Sequence, residues 1–207
     1  MLVSALMLTM ALATQAAPPP ESQPVAVIHT DRGDIRVALD AAHAPVTTCN
    51  FLRYVEAGRY RDARFFRTVV SETNDNPHPI DVIQAETTAG SDDPGLGPIA
   101  LERTRDTGLS HVAGTISMAR DGPDTATSSF FLVTEDTPSL DFGGGRNPDR
   151  QGFGAFGHVV EGLDVARAIQ ALPAEDEQLT PPVAIRDVEL LGPVPEICAR
   201  YPATEGR

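Results

Sequence analysis

Residues 114–133, GTISMARDGPDTATSSFFLV, hold two short apolar runs on either side of a break that contains glycine and proline. The first run covers residues 116–119 and the second covers residues 130–133. Short runs rich in Ile, Phe and Val and bounded by turn residues are typical of β-strands. Because successive strand side chains point to opposite faces, Phe130 and Phe131 must face opposite ways. One of them therefore packs inward, and the other is available for a surface pocket.

Within this segment, ISMARDGPDTATSSFF resembles the cyclophilin signature, usually of the form L-S-M-A-N-x-G-P-x-T-N-x-S-Q-F-F. The apolar, glycine, proline and paired aromatic positions all fall in register, and the resemblance extends from Val25 to Leu191. It implies a peptidyl-prolyl cis-trans isomerase that needs no cofactor and no metal ion. Its partners would be proline-containing segments of polypeptides.

The apolar pattern along the rest of the chain predicts a mostly β fold. Strands are expected at residues 25–29, 35–39, 64–70, 80–85, 116–119, 130–133, 155–160 and 183–191, and helices at residues 45–56 and 163–172. In the first helix, Val46, Cys49, Leu52 and Val55 form one apolar stripe. Strands and helices in this order match a closed antiparallel eight-stranded barrel, cyclophilin-like and capped by two α-helices.

Composition limits the kinds of partner. The 207-residue chain is long enough for one domain with a sizeable core. Its formal net charge is −13, its 16 basic residues are all arginines, and they form no cluster. Binding to the phosphate backbone of nucleic acids is therefore not expected. We expect a monomer.

The N-terminal segment predicts export. Residues 1–17 are apolar and small, shorter than a bilayer span of about 20 residues, and typical of a signal peptide cleaved near Ala16 or Ala17. No Lys or Arg precedes the apolar run, so Met1 is either internal to a longer signal, or the segment remains as an anchor. We favour cleavage, which predicts a periplasmic or secreted protein without a membrane span. Residues 18–24 would then be a Pro-rich spacer, residues 25–192 the isomerase domain and residues 193–207 a C-terminal tail.

The chain has two cysteines, Cys49 and Cys198, which form an even pair in a protein expected to be exported. A disulfide between them is predicted, and it requires the tail to fold back over the first helix. The five histidines have no metal-ligand spacing and are expected to be ordinary surface or core residues; they are His29, His43, His78, His111 and His158.

The resemblance also assigns site residues. Arg67 matches the catalytic arginine of the family, and Gln84 matches the glutamine that binds substrate backbone and orients the arginine. The other positions expected to bind substrate are Val82, Ala119, Arg120, Phe131, Leu140 and Phe153. Phe131 and Leu140 match residues of the proline pocket, whereas Phe130 and Phe156 are expected in the core.

Four positions depart from the family pattern. Asp81 replaces a pocket aromatic, Ser129 a second glutamine, Phe153 a pocket histidine, and Ser139 stands where many members have tryptophan. A polar insertion, residues 71–79, directly precedes this region. Of the four, Asp81 is expected to weaken proline binding most, because a carboxylate on the rim of an apolar pocket resists desolvation. The insertion could, however, move Asp81 away or bring a substitute.

Two functions remain open from the sequence. Arg67, Gln84 and Phe131 favour an isomerase that acts on X-Pro bonds of exported proteins. Asp81 and Ser129 favour a peptide-binding module or holdase with the same fold and little isomerase activity.

Overall fold

The computed structural model describes residues 23–90 and 95–201. The strands are β1 (Val25–Thr30), β2 (Gly33–Leu39), β3 (Ala63–Val69), β4 (Val82–Glu86), β5 (Thr115–Met118), β6 (Phe130–Val133), β7 (Gly154–Glu161), β8 (Ala174–Glu175) and β9 (Gln178–Leu191). The helices are α1 (Pro45–Glu56), α2 (Thr104–Thr107) and α3 (Leu163–Gln170). The expected signal peptide, most of the spacer and the end of the tail lie outside the described residues. Within the described ranges, no helix is long and apolar enough to cross a bilayer.

Eight of the strands form a closed antiparallel barrel. They follow the order β1-β2-β7-β5-β6-β4-β3-β9, and β9 pairs again with β1. Among the residues that the structure describes, closure leaves no long strand edge open for another chain to pair with. The predicted barrel is therefore confirmed, and the two-residue strand β8 is an appendage that pairs with β9.

The barrel wall separates two groups of apolar side chains. Phe130 points inward and is fully buried, with its ring 5.5 Å from that of Phe51 and 5.4 Å from that of Tyr60. Phe131 points outward into a second cluster, here called the outer cluster. Its members are Val69, Ile80, Val82, Phe131, Val133, Leu140 and Phe153. The expectation that the two adjacent phenylalanines face opposite ways is confirmed.

Helix α1 begins and ends where the sequence predicted, but it buries more than one stripe. Cys49 and Leu52 are buried, whereas Val46 and Val55 at the ends of the predicted stripe are only half-buried. Phe51, outside that stripe, is fully buried. The helix packs against β7 and β9 and so buries a wider face than a three-residue spacing suggests.

Helix α2 and strand β8 were not predicted. Helix α2 is a single turn that ends at Thr107 and is capped by Gly108, so the described residues contain three α-helices and not two. Strand β8 and the first residues of β9 form a hairpin whose turn residues, Asp176 and Glu177, have φ of 49° and 67°. Elements this short carry no periodic pattern, so sequence periodicity cannot detect them.

The predicted disulfide is present. Cys49 of α1 is bonded to Cys198, with the two Cα atoms 5.2 Å apart. Cys198 lies in a 3₁₀-helix, Glu196–Arg200, which packs against α1. The Arg53 guanidinium donates a hydrogen bond of 2.8 Å to the Tyr201 carbonyl oxygen. The first part of the tail is therefore held on the first helix.

Candidate active site

A cavity of about 310 Å³ opens on the outer face of the barrel, above the outer cluster. All eight residues that the sequence assigned to the site line it: Arg67, Val82, Gln84, Ala119, Arg120, Phe131, Leu140 and Phe153. They come from β3, β4 and β6 and from the loops after β5 and β6. Residues far apart in the sequence are thus brought into one concave surface.

Arg67 reaches this cavity because β3 contains a β-bulge. Phe65 pairs with Ala85 and Arg67 pairs with Gln84, so two residues of β3 oppose one of β4. If β3 were a regular strand, Arg67, two residues after Phe65, would share the inner face with Phe65. The bulge turns Arg67 outward, directly opposite Gln84.

A chain of hydrogen bonds fixes the orientation of Gln84. Arg67 Nη1 donates to Gln84 Oε1 at 2.9 Å, and Gln84 Nε2 donates to Ser129 Oγ at 3.0 Å. Ser129 Oγ in turn donates to the Ala85 carbonyl oxygen at 2.8 Å. Because Gln84 Oε1 accepts from Arg67 and Nε2 donates to Ser129, exchanging the two ends of the amide would set donor against donor and lose the bond to Arg67. Ser129, where the family has a second glutamine, anchors the first one.

Arg67 also has an acidic partner that the sequence did not reveal. Its Nε and Nη2 atoms donate to Glu177 Oε2 at 2.9 and 2.5 Å. The other oxygen, Glu177 Oε1, accepts from Asn74 Nδ2 at 2.5 Å. Glu177 lies in the β8–β9 turn with positive φ, where Asn or Gly is the usual residue. Nothing in the local sequence therefore pointed to this contact.

The floor of the cavity is an apolar socket. The Phe131 and Phe153 rings meet edge to face with their centroids 5.4 Å apart. Leu140 and Val82 are almost fully buried beside them. A dry apolar recess of this kind suits a small ring such as that of proline.

His111 supports the socket from behind. It is 1% exposed, and its ring stacks on that of Phe131 at 6.0 Å. Its Nδ1 atom is 2.7 Å from Asp141 Oδ1, and its Nε2 atom is 3.0 Å from Ser117 Oγ. From the sequence, His111 was expected only to be an ordinary surface or core histidine. The described residues contain no group of three or more His, Cys, Asp or Glu side chains placed to hold a metal ion.

Arg120 lines the cavity, but its guanidinium is bound within the protein. Its side chain is 1% exposed and forms a two-pronged ion pair with Asp149, at 2.7 and 2.9 Å. Its Nε atom donates to the Gly152 carbonyl oxygen at 2.7 Å, and its guanidinium lies 5.0 Å from the centre of the Phe153 ring. The hydrogen bond from Arg120 lowers the pKa of the Asp149 carboxyl. Arg120 thus ties the loop after β6 to the socket.

Asp81 does not line the cavity, so the expected cost of a carboxylate on the rim does not arise, and the alternative that this carboxylate is moved away is confirmed. Asp81 Oδ1 accepts hydrogen bonds from the Ser71 backbone N–H at 3.0 Å and from Gln170 Nε2 at 3.3 Å. Ile80, 5% exposed, lines the cavity in its place. Strand β4 begins at Val82. Ser71, the first residue of the insertion, holds the Asp81 carboxylate, and Ile80, directly after the insertion, supplies the apolar side chain.

Because Ile80 lines the cavity and Asp81 does not, substitutions at these two positions should affect peptide binding differently. We expect Ile80→Ala to weaken binding of a proline-containing peptide roughly tenfold, if about two of the three carbons removed contact the peptide and each contributes about 0.8 kcal/mol. Asp81→Asn keeps the acceptor oxygen and should bind the peptide as the wild type does. Titration calorimetry of both variants tests the assignment, and an equal loss in Asp81→Asn would place its carboxylate against the peptide.

Two segments beside the cavity are called the mouth loops: residues 134–153, which contribute to its lining, and residues 71–79, which pack against them. Ser139 Oγ donates to the Pro79 carbonyl oxygen at 3.2 Å, and Arg146 Nη1 lies 3.3 Å from the His78 carbonyl oxygen. A side chain at Gly145 would collide with the His78 ring. The sequence predicted residues 71–79 as a polar insertion and did not predict that they pack against residues 134–153.

Comparison with known proteins agrees with this geometry. Residues 25–190 match the family model described as cyclophilin type peptidyl-prolyl cis-trans isomerase/CLD. A peptidyl-prolyl cis-trans isomerase of Streptomyces antibioticus is 34% identical over 173 residues, which cover 80% of this chain and 97% of the relative. Peptidyl-prolyl cis-trans isomerase A of Dickeya dadantii is 33% identical over 152 residues, covering 72% and 73%.

A solved structure is similar in fold. A cyclophilin type peptidyl-prolyl cis-trans isomerase of Cryptosporidium parvum, crystallised in the presence of the dipeptide Ala-Pro, superposes with a TM-score of 0.63 at 19% identity. The match covers 82% of this chain and 99% of that protein. The fold, the position of Arg67 after the bulge and the apolar socket agree with these matches. The family model and the relatives show that the chain belongs to the cyclophilin-type peptidyl-prolyl cis-trans isomerase family.

Proposed function

We propose that this chain accelerates rotation about X-Pro peptide bonds in exported proteins, with Arg67 as the catalytic residue. The observation that carries the proposal is that the Arg67 guanidinium and the Phe131–Leu140–Phe153 socket line one cavity. The crystallised relative from Cryptosporidium parvum, whose structure was determined with Ala-Pro present, supports a proline-containing ligand for this fold.

The reaction breaks no covalent bond. Amide resonance imposes a rotation barrier of about 18–20 kcal/mol on the X-Pro bond. As the bond twists, the prolyl nitrogen becomes pyramidal and gains a lone pair that the planar amide lacks. A guanidinium N–H placed near that nitrogen stabilises the twisted state more than the ground state, which lowers the barrier.

The surroundings assist in two ways. The socket holds the proline ring away from water while the acyl side rotates. Gln84, held by Ser129, keeps one edge of the Arg67 guanidinium in place and can bond the peptide backbone. Both effects position groups before the bond twists, so little reorganisation is needed during the step.

One observation favours the binding-module alternative. Glu177 accepts hydrogen bonds from two nitrogens of Arg67, Nε and Nη2. A guanidinium whose charge is neutralised in this way is a weaker donor to the lone pair that forms on the prolyl nitrogen. A protein in which this ion pair persists with substrate bound would grip proline-containing segments and isomerise them slowly.

A direct rate measurement decides between the two functions. Exchange NMR spectroscopy on an acetylated, amidated Ala-Ala-Pro-Ala peptide gives the cis-trans rate with and without the protein. Acceleration at catalytic protein concentration supports the isomerase. Saturable binding without acceleration supports the binding module.

Export is the second part of the proposal. The apolar, small-residue composition of residues 1–17 and the Cys49–Cys198 disulfide both support an oxidising compartment. When the gene is expressed with its own N-terminus in a Gram-negative host, we expect the periplasmic protein to lack residues up to about Ala17. Intact-mass spectrometry tests this, and a periplasmic or membrane-bound product that retains Met1 would contradict cleavage.

A further inference from the structure

The cavity contains three arginines, and they differ in how their charge is balanced. Arg67 is paired with Glu177 and Arg120 with Asp149. Arg146, which also lines the cavity, has no carboxylate within 4.0 Å among the described residues. Arg146 is therefore a cation at the cavity without a direct counter-ion.

The protein places Arg146 but leaves much of its guanidinium available. The backbone N–H of Arg146 donates to the Ser139 carbonyl oxygen at 3.1 Å, next to Leu140 of the socket. Its Nη1 atom makes two long contacts, 3.4 Å to Asn74 Oδ1 and 3.3 Å to the His78 carbonyl oxygen. In the part of the chain that the structure describes, Nε and Nη2 have no hydrogen-bond acceptor.

The surroundings of Arg146 make a charge there unfavourable without a partner. Burial lowers the pKa of Arg146, and the positive charge of Arg67 lowers it further, against a smaller opposite effect of Glu177. A bound anion would offset the unfavourable free energy of the partly buried charge and would accept hydrogen bonds from Nε and Nη2. A carboxylate fits best, because the guanidinium edge matches its two oxygens.

One other charged group faces the cavity. Asp121 lines it, but this residue is exposed and forms no ion pair within 4.0 Å with any of the three arginines among the described residues. It therefore does not neutralise Arg146.

We propose that Arg146 determines specificity, and that the site prefers X-Pro segments with an Asp or Glu side chain immediately before or after the proline. This deepens the proposed function and rests on it. The peptide carboxylate pairs with Nε and Nη2 of Arg146 while the proline ring occupies the socket. Arg146 and Leu140 both line the cavity, and the backbone N–H of Arg146 donates to the carbonyl oxygen of Ser139, next to Leu140.

The net charge of the protein allows a preference for acidic peptides to be assigned to a local contact. A chain with a formal charge of −13 repels acidic peptides at long range, so its overall field predicts a preference against Glu. A preference for Glu must therefore come from a local contact.

The test uses acetylated, amidated peptides, so that the side chain is the one carboxylate source. Glu and Gln versions are compared at the position before proline and at the position after it. The ratio of kcat/KM for Glu over Gln is measured by exchange NMR, and the ratio of Kd values by calorimetry. For the wild type at low salt we expect a preference for Glu of about three- to tenfold at one of the two positions. At about 1 M salt the preference should largely disappear.

Two variants complete the test. Arg146→Gln should bring the Glu/Gln ratio close to one, or below one if the overall field then dominates. Arg61→Gln changes the charge equally at a side chain that is 69% exposed and outside the cavity lining, and it should keep the wild-type ratio. A wild type without preference for Glu at either position, or an unchanged ratio in Arg146→Gln, would overturn the proposal. If the protein binds peptides without isomerising them, the Kd ratio still decides it, so the two proposals fail separately.

Discussion

Arg67→Ala should lower the isomerisation rate by about 10²–10³-fold, because it removes the donor placed to meet the prolyl nitrogen. Loss of one preorganised donor typically costs about 2.7–4 kcal/mol of transition-state stabilisation. Peptide affinity should fall much less than turnover, since the socket remains intact. The measurement is exchange NMR at saturating peptide, with circular dichroism to verify the fold.

The strand that carries Arg67 also supplies a matched control. Arg64 lies on β3, pairs with Glu86 and does not line the cavity, so Arg64→Ala should keep the wild-type turnover. Phe131→Ala opens the socket and should reduce both affinity and turnover. An Arg67→Ala variant that isomerises at the wild-type rate would show that the assignment of Arg67, or the enzyme function itself, is wrong.

Removing the disulfide should produce the largest loss of stability. The Cys49–Cys198 bond spans 149 residues, and closing so long a loop restricts the unfolded chain strongly. The double variant Cys49→Ala/Cys198→Ala should lose about 2–5 kcal/mol of unfolding free energy. At roughly 2–4 °C per kcal/mol for a chain of this size, the thermal midpoint should fall by about 10 °C.

Two comparisons isolate the bond from the side chains. Each single alanine variant should lose as much stability as the double variant, because either one breaks the bond. Addition of reductant should destabilise the wild type and leave the double variant unchanged. Turnover at low temperature should be unaffected, since neither cysteine lines the active-site cavity. Equal midpoints for oxidised and reduced wild type would contradict the prediction.

The fold was largely predictable from the sequence because its main signals are local. The alternation around Phe130 and Phe131 and the Pro45 start of α1 each depend on neighbouring residues alone, and both are confirmed. Single-turn α2 and two-residue β8 were missed, because a helix or strand must repeat before its period can be detected.

The candidate site was predictable by resemblance to a family, and not from periodicity. Period-two alternation would have buried Arg67 with Phe65, and only the bulge in β3 brings it outward. The Glu177 contact and the replacement of Asp81 by Ile80 depend on where an insertion and a distant turn come to rest. Such long-range contacts leave no pattern in one sequence.

The joined mouth loops have a consequence for engineering. Asn74, in the first loop, bonds Glu177 on one side and lies within 3.4 Å of Arg146 of the second loop on the other. If only one of the two loops were exchanged for that of a relative, the contact between Asn74 and Arg146 would be lost. The Glu177 carboxylate, which binds both Asn74 and Arg67, would then be disturbed. The proposed peptide selectivity of Arg146 and the proposed turnover at Arg67 therefore depend on one set of contacts. A chimera designed to accept different peptides at an unchanged rate would have to exchange both loops and the β8–β9 turn together.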